Sequence, residues 1–176
     1  SAGLLHEPDS IYNLVRPGLL VYGVLPHGRR RVTTAMKRNL HPALSWKCRV
    51  SLVKDIATGT PLSYGRSFIA PRRMRVATLT AGYGDGYLCS AAGNAKVLVS
   101  GKLCPVLGRV TMDQMLVDVS KIKSAKPGDE TVLIGRQGKQ EITAHHLADW
   151  ASTLPLEVLT AIAYRVPRVY RGGQAA

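Results

Sequence analysis

Acidic side chains are scarce in this chain. Its 176 residues hold 11 Asp and Glu against 24 Lys and Arg, a net charge of +13. That balance points to an anionic partner: nucleic acid, an anionic surface, or small molecules carrying phosphate or carboxylate. Phe and Trp are also few, one and two respectively, beside seven Tyr. None is interleaved with the basic run Arg29-Arg30-Arg31. A solvated basic connector is therefore the better reading of that run and argues against nucleic-acid binding, although a basic, non-enzymatic β-domain that binds nucleic acid stays as the alternative. Cysteines number three, Cys48, Cys89 and Cys104, with no CxxC spacing. The odd count argues against a disulfide scaffold and against zinc, and for a reduced, cytoplasmic protein. No apolar run approaches the roughly 20 residues of a helical membrane span. No basic, apolar leader follows Ser1, and the opening Ser1-Ala2-Gly3 without Met suggests a processed chain or a fragment.

Hydrophobic residues make up 45% of the chain, enough for a packed core. From Leu44 to Leu52 apolar and polar residues alternate, which predicts a strand with one buried face. Further strands are predicted at 74–80, 115–119 and 131–134, and a hairpin over 97–104. Residues 135–140 read as a polar loop. Thr143 is placed to cap a helix through Trp150, and Pro155 to open a second helix. Nearer the start, Asp9-Ser10 would cap a short helix through Val15. Leu19 to Tyr22, apolar on both faces, reads as a strand buried in a parallel sheet or barrel. Residues 24–40 read as a basic surface connector. The fold class is therefore mainly β, with two late helices and a short α/β piece in front.

Three polar knots interrupt this strand-like sequence: Pro61-Leu62-Ser63-Tyr64-Gly65-Arg66, Gly82-Tyr83-Gly84-Asp85-Gly86-Tyr87, and Gly108-Arg109-Val110-Thr111-Met112-Asp113-Gln114. A Tyr flanked by Gly can stand clear of its own backbone and face a ligand. Any one knot alone is explained as a turn with a bulky residue packed on it. Three in one stretch favour a site. The second knot is no dinucleotide fingerprint, because the short, broken stretch 88–93 follows it where a helix must open. His145 and His146 are adjacent and point apart, the wrong spacing for one metal on a helix face. At Arg16-Pro17-Gly18-Leu19, exposed amides and a permanently cationic Arg suit an anion such as phosphate. A plain Pro-Gly turn explains the same residues equally well.

Taken in order, Arg16-Pro-Gly-Leu, Ser63-Tyr64-Gly65, Gly82-Tyr83-Gly84-Asp85-Gly86-Tyr87, Gly108-Arg109 with Met112-Asp113-Gln114, and Tyr164-Arg165-Val166-Pro167-Arg168 resemble the pyridoxal-phosphate-dependent alanine racemases. The likeness runs from about Ser1 to about Arg171. It implies that residues 1–39 end a (β/α)8 barrel that binds pyridoxal 5'-phosphate, and that residues 40–176 form the family's C-terminal β-barrel-like domain. It implies a head-to-tail homodimer in which each β-domain completes the neighbouring barrel's site. The lysine that carries the cofactor would lie upstream of Ser1, so this chain alone would be inactive.

The implied activity interconverts L-alanine and D-alanine for peptidoglycan, with two bases on opposite faces of the cofactor. Serine or a broader range of amino acids is the alternative substrate class. Tyr64 matches the tyrosine base. An ordinary Tyr ionises near pH 10, so such a base needs positive charge or hydrogen bonds nearby. Arg16 matches the arginine at the cofactor's pyridine nitrogen. Ser1, Gly18, Leu19 and Tyr164 match phosphate-binding positions. Tyr83, Arg109, Met112 and Asp113 match the substrate entrance and the carboxylate end. Two positions depart from the family pattern: Leu88-Cys89 stands where relatives often carry Arg, which would alter the charge at the entrance. Thr111 stands where they often carry Cys, which is expected to change packing only.

Overall fold

The computed structural model describes residues 2–7, 9, 11–26 and 40–172. Nine strands are found among them: β1 (Trp46–Ile56), β2 (Pro61–Leu62), β3 (Phe68–Ile69), β4 (Met74–Leu79), β5 (Lys96–Val99), β6 (Lys102–Leu107), β7 (Met115–Asp118), β8 (Glu130–Gln137) and β9 (Gln140–Ile142). Three α-helices accompany them: α1 (Ala2–His6), α2 (Ala144–Ala151) and α3 (Pro155–Ala161). The order β1-β4-β7-β6-β5-β8 closes because β8 also pairs with β1. Every pairing in that ring is antiparallel. The result is a six-stranded barrel, which leaves no open edge on the ring.

Closure depends on β1. Its first residues, Trp46 to Arg49, pair with β8, and Val50 onward pairs with β4. A bulge between Val50 and Leu52 marks the change of partner. An extra residue in a strand bends it and sends later side chains to the other face. Trp46 and Val50 accordingly point into the barrel, whereas Leu52 is exposed and Val53 packs on the core in its place. The alternation in the sequence predicted this strand correctly but carried its buried face one step too far.

The interior holds Trp46, Val50, Ala77, Leu79, Tyr87, Val97, Val99, Val106, Met115, Val117 and Leu133 among others. Burying an aliphatic side chain of this size stabilises by roughly 1.5–3 kcal/mol. The outer face is covered in two places. The β2–β3 hairpin lies over Met74, Val76 and Leu107 through Leu62 and Phe68. On the far wall, Leu98 and Val132 pack with Ile142 and the half-buried Trp150. In α2 the buried residues are Ala144, Leu147, Ala148 and Ala151, one stripe at helical spacing. The Thr143 hydroxyl caps this helix by accepting from the His146 amide, and Pro155 opens α3, both as predicted.

Several expectations are corrected. Residues 135–140 are not a loop: β8 continues to Gln137 and turns directly into β9. The polar side chains there misled because the outer face of a strand may be wet. Leu19 to Tyr22 is not a strand but part of a 3-10 turn, Gly18–Tyr22, with Val21 and Tyr22 exposed. A short apolar run carries no period that separates the two. No helix runs to Val15, since 11–17 are irregular. The expected cap Ser10 and the connector residues 27–39 lie outside the described residues. Val24 joins the core, and the Ala43 amide donates to Tyr22 O at 3.0 Å, so the front segment is tied to the approach to β1.

Two thiols face the interior. Burial, and then the charge of Asp85, pushes Cys48 up to about 12; burial, and then Asp118, pushes Cys104 up to about 11. A thiol whose folded-state pKa is raised gives stability that is intact below its unfolded value and is lost as pH rises towards the folded one. The urea unfolding midpoint should therefore fall steadily above about pH 9. Cys48→Ala should flatten that fall. Equal slopes for the two proteins would show that Cys48 ionises as freely in the folded state as in the unfolded one.

Candidate active site

The three knots meet at one rim of the barrel. The second follows the C-terminal end of β4, and the third joins the end of β6 to the start of β7. Antiparallel pairing of β4 with β7 and of β7 with β6 puts those ends side by side. The Tyr83 amide donates to Thr111 O at 2.9 Å and the Gly84 amide to Met112 O at 2.8 Å. Contact is so close that a Cβ on Gly82 would collide with the Thr111 carbonyl. Only glycine allows this approach.

The first knot arrives from the side, at the tip of the β2–β3 hairpin. Tyr64 opens a 3-10 turn over Tyr64–Arg66. Ahead of it Ser63 has φ 65° and ψ 172°, and behind it Arg66 has φ 52°. The Ser63 conformation is one that non-glycine residues avoid, at a cost of about 1–3 kcal/mol. Its hydroxyl explains why it persists. Ser63 Oγ accepts from the Arg109 amide and donates to the Arg109 carbonyl, both at 3.0 Å. Ser67 Oγ accepts from the same amide at 3.2 Å. Gly108 sits with φ 64°, and a Cβ there would lie 2.7 Å from that of Ser63. The tyrosine turn is thus latched to the third knot.

A second fastening comes from Arg165. Its Nε donates to Asp85 Oδ1 at 2.8 Å and its Nη2 to Asp113 Oδ1 at 2.7 Å, with Met112 O a further acceptor at 3.3 Å. These side-chain hydrogen bonds, to Asp85 first and Asp113 second, raise the guanidinium pKa further. Asp85 Oδ2 in turn accepts from the Gly82 amide at 2.9 Å. One planar fork therefore joins the second and third knots to the segment after α3, as only Arg can.

Held this way, Tyr64 is 70% exposed, Met112 52% and Tyr83 45%. Arg109 and Asp113 are also exposed. The structure brings Tyr83, Arg109, Met112 and Asp113 together with the Tyr64 turn. Tyr164, beside the Arg165 fork in sequence, is fully exposed. Arg16, Gly18 and Leu19 form a separate group on the front segment, and Ser1 lies outside the described residues. Among the described residues, no hydrogen bond or ion pair links this group to the rim. The amides of Gly18 and Leu19 open their 3-10 turn without a backbone acceptor among the described residues.

The second knot's other tyrosine, Tyr87, is not part of the surface. It is wholly buried, tilted against Trp46 with ring centroids 5.9 Å apart. Sequence reasoning missed Ser63, Asp85 and Arg165 as working parts. They stand inside the quoted motifs, but nothing in one sequence says that residues 80 apart will pair. Of the two departures, Cys89 is exposed in a 3-10 turn. Thr111 does more than pack: its hydroxyl donates to Gln114 O at 2.8 Å and helps close the third knot. His146 takes part in the Thr143 cap and stacks on Trp150.

A closed antiparallel barrel whose latched loops gather exposed tyrosines on one rim defines the class: a small β-barrel domain. Comparison with known proteins gives the family. Residues 43–170 match the model of the alanine racemase C-terminal domain, and the chain belongs to that family. An alanine racemase of Symbiobacterium thermophilum is 47% identical over the whole chain, and one of Carboxydothermus hydrogenoformans is 41% identical over 97% of it. The chain spans 45% of the length of each. Among solved structures, alanine racemases of Streptomyces coelicolor and E. faecalis superpose with TM-scores of 0.89 and 0.88, at 36% and 32% identity. In both cases 97% of this chain and 44% of the other is covered.

If the Arg165 fork fastens the rim, Arg165→Ala and Arg165→Lys should both speed amide exchange at 83–84 by on the order of tenfold, with β4 and β7 unaffected. Unchanged exchange at 83–84 would mean that the backbone contacts alone hold the loops.

Proposed function

We propose that this chain is the β-domain of an enzyme that interconverts L- and D-alanine, and that Tyr64 is one of its two bases. The observation that carries the reading is the Tyr64 turn: a strained backbone, latched through Ser63 to Arg109, exposes a phenol on the rim that also exposes Tyr83 and Met112. Strain kept in place by specific hydrogen bonds is characteristic of working sites.

Pyridoxal 5'-phosphate, when bound, withdraws electrons from the α-carbon and so acidifies its proton. The residues of this chain suit that group. Gly18 and Leu19 offer two amides without acceptors among the described residues, a fit for phosphate oxygens, with Tyr164 and Ser1 as further donors. Arg16 would donate to the ring nitrogen without giving up its proton, which restrains side reactions that need a protonated ring. Tyr64 would take or return the α-proton on one face. Tyr83, with Arg109 in the same corridor, would narrow the approach to favour a small side chain, and the Met112 backbone would lie near the substrate carboxylate. Asp113 would act through Arg165 by fixing the third knot.

The separation of the rim from the Arg16 group supports a head-to-tail homodimer, with the rim serving the neighbour's site. Residues 1–39 would then belong to a preceding barrel and 40–176 to the β-domain. The free cysteines suit a reducing, cytoplasmic compartment. None of the described helices is long and apolar enough to cross a membrane.

Tyr64→Phe in the full-length protein should lower racemisation by about 10²–10⁴-fold, the usual contribution of a positioned acid–base group. Exchange of the α-proton with solvent deuterium should survive for one enantiomer only. Undiminished racemisation would remove Tyr64 from the role. Serine assayed beside alanine would report the breadth that the Cys89 departure permits.

A further inference from the structure

At the other end of β4 from the tyrosine rim there is a cavity of about 400 Å3 lined by Asp55, Arg73, Met74, Arg75, Ser120 and Lys123. Its hydrogen-bond inventory is one-sided. Arg75 binds Asp55 Oδ2 through Nη1 at 3.3 Å and Ala125 O through Nη2 at 3.2 Å, while its buried Nε has no acceptor among the described residues. Ser120 Oγ accepts from the Arg75 amide at 3.0 Å and from Arg72 Nη1 at 3.3 Å, so its own proton is free to donate outward. The exposed side chains of Arg73 and Lys123 make no hydrogen bond or ion pair among the described residues. The lining holds one carboxylate, Asp55, and Arg75 already engages it. Donors without acceptors on a concave surface are complementary to an anion rich in oxygen.

We propose that this cavity binds the phosphate or pyrophosphate group of a small molecule, at a site separate from the tyrosine rim. Arg73 and Lys123 supply two full positive charges, and the Ser120 hydroxyl is the inner donor, backed by the charge of the Arg75 guanidinium. A pocket suits a compact ligand better than a strand of nucleic acid. Its lining offers no aromatic side chain on which a base stacks.

The test is calorimetric titration of inorganic pyrophosphate, and separately inorganic phosphate, into the full-length, cofactor-loaded protein at low ionic strength. Variants are the double substitution Arg73→Gln/Lys123→Gln and, as a charge control, Lys139→Gln in the exposed β8–β9 turn. Because the Arg73 and Lys123 side chains bond to nothing among the described residues, the double variant should keep the parent melting temperature without ligand. The expected result is saturable binding that the double variant weakens about tenfold or more and the control leaves unchanged. Two results would overturn the proposal. One is no saturable binding, or equal weakening in the control, which would reduce the effect to net charge. The other is tight, steeply salt-dependent binding of a single-stranded oligonucleotide in place of pyrophosphate, which would make the surface a nucleic-acid contact.

Discussion

The double pairing of β1 is the constraint on which the structure rests. One strand bonds to β8 through its first residues and to β4 through the remainder, with a bulge at the changeover. Without that bend the sheet would stay open and expose two edges. With it, the ends of β4, β6 and β7 that carry the second and third knots fall on a single rim. The site is thus a consequence of closure: residues far apart in the chain meet because the ring fixes the height of each strand.

On that rim, rigidity is supplied by few interactions of specific geometry. Ser63 accepts an unfavourable backbone conformation because its hydroxyl both gives and takes a hydrogen bond with Arg109. Arg165 holds two carboxylates from two loops with one guanidinium. Surface ion pairs taken singly contribute little to stability. Their value here is positional, since they join the loops that carry Tyr83 and Met112. At the opposite end of β4 the exposed Arg73 and Lys123 side chains have no such partner among the described residues.

Much of the fold could be read beforehand because its strands are amphipathic in the ordinary way. The alternation up to Val50, the 97–104 hairpin and the Thr143 and Pro155 helix starts each rest on a local signal. Failures came where the deciding contact is distant. Leu52 is exposed because of a bulge that only pairing reveals. Residues 135–142 form β-structure although their outer side chains are polar. The 18–22 turn looked like a strand because a short apolar run carries no period. In the site, the tyrosines announced themselves through flanking glycines, and the order of motifs carried the family. The Ser63 latch and the Arg165 fork stayed hidden, since each joins residues that are over 40 apart.

The central claim is that the rim of one protomer completes a site whose Arg16 group belongs to another. Mixed dimers of full-length protomers test it, one carrying Tyr64→Phe and the other Arg16→Ala. Each parent homodimer lacks one group in both sites. In the mixed dimer, one site receives an intact Tyr64 and an intact Arg16, so racemisation should reappear on mixing. If the mixture is no more active than its parents, Tyr64 and Arg16 serve the site of a single chain, and the head-to-tail arrangement is wrong.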